Sequence, residues 1–164
     1  MQFLIFLSLD QPIFAKQIKI VPKLLHIDTT GETALIGLSI HNEIIAERSN
    51  TAANQHASFV QIAIQAICQE HAFDLNELDA VVGRGGMLNP IEGGTYEINQ
   101  KMIDYMNVYP RGEHASNLGC VIAKNIADHY QLPSFIVDPV AVDEMEDIAR
   151  YTGMPEIRRM SLFH

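Results

Sequence analysis

Three features of the chain predict an α/β domain with a mixed five-stranded sheet and helices on both faces. Three short β-type segments follow one another closely between residues 24 and 49. Two short segments with apolar centres, "DAVVG" at 79–83 and "SFIVD" at 134–138, read as strands buried on both sides. Between and after them, apolar residues recur at helical spacing. The order that results is β-β-β-α-β-α-β-α, a meander followed by crossover units.

Each element has its own signal. "LLHIDTT" reads as a strand from Leu24 to Asp28 running into a turn over residues 29–32. "TALIGLSI" is the second strand, and His41-Asn42 makes a short hairpin link to the third, "EIIAERS". After the polar stretch 49–55, Val60, Ala63, Ile64, Ile67 and Cys68 fall on one helical face. Ile98, Met102, Ile103 and Met106 predict a modest helix. Leu118, Val121, Ile122 and Ile126 predict a longer one ending near His129. After "SFIVD", Asp138 and Pro139 read as N-cap and first helical residue. They would open a last helix with Val142, Met145 and Ile148 on its apolar side.

Composition narrows the class. Of 164 residues, 48% are apolar and 19% charged, as in a single globular domain with a real core. A formal charge of −9, with basic residues scattered apart from Arg158-Arg159, argues against a nucleic-acid surface. Cys68 and Cys120 sit on predicted helices without metal-ligand spacing, so buried thiols in a reducing, cytoplasmic compartment are expected. In "MQFLIFLSLDQPIFAKQIKI" the apolar run Phe3 to Leu7 is too short to span a bilayer. Its lysines, Lys16 and Lys19, follow that run, whereas a signal peptide places them before it. Residues 1–22 are therefore expected to be a poorly ordered extension or an extra strand, and 23–164 a single domain.

From about Asp79 to His164 the sequence resembles butyrate kinase, in the acetate kinase group of acyl-phosphate-forming enzymes. The likeness is carried by "LDAVVGRGGMLNPIEGGTYEIN", "GEHASNLGCVIAKNIA", "LPSFIVDPVAVDEMEDIARYTGMPEIRR" and the terminal "SLFH". The element order likewise matches one half of the actin-like ATPase (ribonuclease H-like) fold, in which two halves face each other across a nucleotide cleft. This chain is expected to supply the first half, with the second lobe absent. Residues about 23–80, including "LLHIDTTGETALIGLSIHNEIIAERS" and "HASFVQIAIQAICQE", look more like a different member of that superfamily. That relative is the non-catalytic partner protein of tRNA threonylcarbamoyladenosine modification. "HIDTTGET" stands where butyrate kinase would carry an Asn-Pro-Gly-Ser-like turn. The chain thus reads as two related halves joined near "LDAVV".

The candidate site follows from residue chemistry and from this resemblance. Arg84, in "GRGG", presents a planar fork among glycines that let backbone approach a ligand closely. The resemblance makes it the anchor of the acyl carboxylate or of the phosphoryl group in transfer, and places Gly85 and Gly86 beside substrate. A turn arginine is the plainer alternative. Asp138 ends a buried strand, where ligands commonly sit. By resemblance it positions Mg²⁺ or phosphate, and by local pattern it is a helix cap. His114 and Asn117, in "GEHASN", are assigned to the substrate side of the cleft, or else to a capping cluster. His164 would stabilise the transferring phosphoryl. Asp28, Thr29 and Thr30 occupy the superfamily's first phosphate turn, although Asx or Ser/Thr turns explain "DTT" equally well. The other histidines are too far apart in sequence to suggest a metal-ligand set. Asp143, Glu144, Glu146 and Asp147 read as the wet face of a helix.

Two functions follow. One is reversible phosphoryl transfer between ATP, with Mg²⁺, and butyrate or a similar short-chain carboxylate. The adenosine pocket and a second arginine would come from the missing half, so little activity is expected of the chain alone. The other is a non-catalytic scaffold subunit that forms a homodimer or binds an actin-like-fold partner. Neither nucleic acid nor membrane is an expected partner.

Overall fold

The computed structural model describes residues 21–52, 55–108 and 116–161. Strands β1 (Lys23–Asp28), β2 (Ala34–Ile40) and β3 (Glu43–Asn50) form the expected antiparallel meander. Its β2–β3 link is His41-Asn42, with φ of 54° and 62°. Two successive left-handed residues make the type I′ turn whose twist suits a tight hairpin. Then come α1 (His56–Glu70), a 3₁₀ turn at Leu75–Glu77, and β4 (Ala80–Arg84), which pairs parallel with β1. Next are β5 (Thr95–Glu97), α2 (Gln100–Val108), α3 (Ser116–Tyr130) and β6 (Ser134–Val137), with β6 parallel to β4.

The sheet has six strands, not five, in the order β3-β2-β1-β4-β6-β5. The added strand, β5, is three residues long and antiparallel to β6. A segment that short carries no periodic signal. It is a strand because β6 offers an edge to pair with.

The helices also lie differently from expectation. Val60, Ala63, Ile64 and Ile67 of α1, Met106 of α2, and Cys120, Ala123 and Ala127 of α3 share one core with Leu25, Ile27, Val81 and Ile136. Among the described residues all three helices therefore cover one face, not both. Parallel crossovers are right-handed, and the steps β1 to β4 and β4 to β6 run the same way across the sheet. Two such steps put α1 and α3 on the same side. The opposite face carries a smaller apolar cluster of Leu24, Ala80, Val82 and Phe135, with Val137 against it.

The expected last helix does not form. Asp138 has φ 40°, outside the extended region an N-cap residue adopts, and its Oδ1 accepts from the Gly94 amide at 2.8 Å. Residues 139–146 are not helical; Val142 bridges Ile91, and only a 3₁₀ turn at Asp147–Arg150 follows. Nor is Asp143 on a wet helix face. It accepts two bonds of 2.9 Å from the Arg150 guanidinium, which also donates to the Met145 carbonyl at 2.7 Å.

Both cysteines are free thiols, Cys120 buried and Cys68 half-buried. No described helix is long and apolar enough to cross a membrane.

Candidate active site

The carboxyl ends of β1, β4 and β6 lie side by side, at the edge where open α/β sheets bind ligands. Register sets Asp28 beside Arg84 and Arg84 beside Val137, with Asp138 one residue beyond. Strand alternation turns Ile27 and Gly83 toward the helices. Asp28 and Arg84 consequently face the other side, with Val137. The Arg84 guanidinium donates to Asp28 Oδ2 at 3.3 Å. Asp28 Oδ1 accepts from the amide and the hydroxyl of Thr30 at 2.9 and 2.6 Å, the Asx-type turn that "DTT" allows. The Arg84 and Asp28 side chains are 30% and 14% exposed, so the pair is neither sealed nor fully solvated.

Beyond Arg84 the glycine turn has a packing cause. Gly85 has φ +105°, and a Cβ there would stand 2.2 Å from the Ser116 carbonyl oxygen. Seen from the helix, a Cβ on Gly119 would stand 2.2 Å from the Arg84 carbonyl oxygen. Helix α3 thus begins backbone to backbone against the end of β4. Two side chains hold it there. Thr29 Oγ1 accepts from the Gly119 amide at 2.8 Å, and Asn117 Oδ1 accepts from the Met87 amide at 2.8 Å.

The structure brings Asp28, Thr30 and Arg84 together and places Gly85 and Gly86 in the adjoining turn. Thr29 is fully buried, so its hydroxyl serves the fold, while Asn117 is engaged with the glycine turn. Asp138 is exposed at the strand edge, with Oδ1 on Gly94. His114 and His164 lie outside the described residues. Sequence reasoning passed over Gly119, which fixes where α3 starts. Its signal was present: a glycine inside a helical pattern weakens the helix and usually marks a close approach.

Among the described residues no three His, Cys, Asp or Glu side chains converge as a metal site. A cavity of about 480 Å³ lined by Ile64, Cys68, Phe73 and Tyr130 lies at the opposite ends of α1 and α3, away from Arg84.

The fold is similar to that of actin-like ATPase domains such as acetate kinase. The acetate kinase of Porphyromonas gingivalis matches it with a TM-score of 0.51 at 12% identity, over 86% of this chain and 45% of that one. A Pseudomonas aeruginosa protein with similarity to the peptidase YeaZ also gives 0.51, at 16% identity over 73% and 44%. In sequence the chain is similar to butyrate kinases. It is 54% identical over 106 residues to a probable butyrate kinase of Clostridium botulinum, and 51% identical over 106 residues to butyrate kinase 2 of Clostridium acetobutylicum. Each match takes in 65% of this chain and 30% of the relative. The probable butyrate kinase of Listeria monocytogenes is 52% identical over 101 residues. The chain therefore spans about 30% of the length of the curated relatives it matches. A stretch of 106 residues is longer than 79–164, so the likeness also takes in residues before Asp79. No protein-family model matches the chain.

Proposed function

We propose that this chain is part of a butyrate kinase-type phosphotransferase. The reaction would move a phosphoryl group between ATP and a short-chain carboxylate, butyrate to butanoyl phosphate. Taken alone, the chain would have little or no turnover. The observation that supports this is the seating of Arg84 at the carboxyl end of a central parallel strand, within a chain 54% identical over 106 residues to a probable butyrate kinase.

The chemistry suits these residues. A carboxylate nucleophile is already ionised, so no strong base is needed. Rate then depends on neutralising the phosphoryl group and holding the reactants in line, work suited to a guanidinium beside a tight turn. The fit to ATP is partial. Arg84 suits phosphate oxygens, whereas Gly85 is packed against the start of α3 and the Thr29 hydroxyl is committed to Gly119. Asp28 and Asp138 each bring one carboxylate to this edge, enough to meet a Mg²⁺ that arrives with its nucleotide. Such an ion would supply charge neutralisation.

Trapping of butanoyl phosphate as its hydroxamate, together with Mg²⁺-ADP titration, tests this reading. Little turnover is expected, with weak nucleotide binding abolished by Arg84→Ala and by Asp138→Ala. Turnover of about 1–100 s⁻¹ would refute the inactivity of the isolated chain. A second reading, a non-catalytic scaffold subunit, draws support from Ile148, Tyr151, Met154, Ile157 and Met160, all large apolar residues and all exposed. Dimerisation in size-exclusion chromatography without any nucleotide binding would favour it.

A further inference from the structure

We infer that Asp28 is an internal counter-ion that competes with an anionic ligand for Arg84, and so sets how tightly this edge holds phosphate or carboxylate. The inference rests on the proposed use of Arg84 as an anion anchor.

Asp28 and Arg84 are register partners on adjacent parallel strands, so the sheet backbone keeps them neighbours. The carboxylate is also aimed. Thr30 holds Oδ1 from both its amide and its hydroxyl, which leaves Oδ2 turned to the guanidinium. The contact of 3.3 Å is longer than the ~2.7–2.9 Å of a tight charge-assisted bond, and the Arg84 side chain is 30% exposed. An incoming anion can therefore reach the guanidinium. It meets a pair of zero net charge and a second anion beside it.

Replacing Asp28 by its neutral isostere removes the repulsion and weakens the contact that Asp28 makes with Arg84. Anion affinity should then rise, by roughly tenfold for a partly solvated pair. A residue that only shaped the turn would act with the opposite sign, because loosening the site weakens binding.

The test is a titration of the full chain with inorganic phosphate at low salt, followed by calorimetry and by the amide NMR shifts of Gly85 and Gly86. Asp28→Asn should bind phosphate about tenfold tighter than the parent, and adding Arg84→Ala should abolish the gain. Thr30→Val keeps a methyl against Gly85 and removes the hydroxyl bond that aims the carboxylate, so a smaller gain is expected. Equal or weaker binding by Asp28→Asn overturns the inference. If that variant does not fold, unchanged or weaker binding by Thr30→Val overturns it instead. Loss of binding in Arg84→Ala without a gain in Asp28→Asn defeats this inference alone. Binding that is indifferent to Arg84→Ala, or absent from parent and Asp28→Asn alike, defeats the anion-anchor reading as well.

Discussion

The Gly119 amide donates to the Thr29 hydroxyl at 2.8 Å, a bond between residues 90 positions apart. Gly119 is the fourth residue of α3, whose first four N–H groups have no partner within the helix. Such groups are ordinarily satisfied by a nearby N-cap side chain. Here a threonine at the end of β1 supplies the acceptor from another part of the chain, so one bond both caps the helix and docks it on the sheet.

Thr29→Val keeps the shape of the side chain and removes the acceptor. A buried amide left unsatisfied costs about 1–3 kcal/mol, and that loss is expected in urea unfolding. Thr29→Ser should retain most of the stability. An unchanged midpoint for the valine variant would show that the bond contributes nothing.

Gly119→Ala sets helix propensity against packing. Alanine is better by about 1 kcal/mol in a helix interior. Its Cβ would nonetheless stand 2.2 Å from the Arg84 carbonyl oxygen, where backbone must move. A net destabilisation of about 1–3 kcal/mol is expected, with the Gly85 and Gly86 amides displaced in NMR spectra. Gly153→Ala, where an added Cβ meets nothing within 4 Å, is the control. It should stay within about 0.5 kcal/mol of the parent. A Gly119→Ala protein as stable as that control would contradict the close approach.

His26 carries a pH dependence. It sits on β1 with its ring Nε2 2.7 Å from Ser39 Oγ, and burial holds its pKa down to about 4, against 6.5 for an exposed histidine. The unfolded chain therefore takes up this proton at higher pH than the folded one. The stabilisation is complete above about pH 6.5 and is lost progressively as pH falls toward 4. Between pH 7 and pH 5 the loss is of order 2 kcal/mol. Thermal unfolding of parent and His26→Gln at the two pH values measures it, since the variant should lose less stability on acidification. Parallel behaviour of the two proteins would remove His26 from the account.

The sequence was most legible where one period or one pairing partner dominates. Val81 and Ile136 lie in strands buried on both faces, and short apolar runs marked those strands. Val60, Ala63, Ile64 and Ile67 repeat at helical spacing because a single face of α1 meets the core. Asp138-Pro139 was misread for the converse reason. A local pattern promised a helix cap, but the Gly94 amide, 44 positions away, takes the carboxylate and the backbone turns left-handed. The three residues of β5 were invisible because their structure comes from the edge of β6.

The candidate site divides in the same way. Arg84 stood out as a cation among glycines, and Asp28 as an aspartate at a strand end. That these two residues are paired, and that Thr30 aims the carboxylate, depends on β1 and β4 being neighbours in register. The glycines after Arg84 looked like room for a ligand. At Gly85 that room is filled by the start of α3.

By itself, the sequence determined the meander, the parallel strands, the helices and the likeness to butyrate kinase, all of which reside in local periodicity or in runs of residue identity. Only the tertiary structure decided the sixth strand, the single helical face, the lost last helix and the Asp28–Arg84 pair. Each of these depends on a hydrogen-bond partner or a crossover direction supplied by residues distant in the chain, which no local window contains.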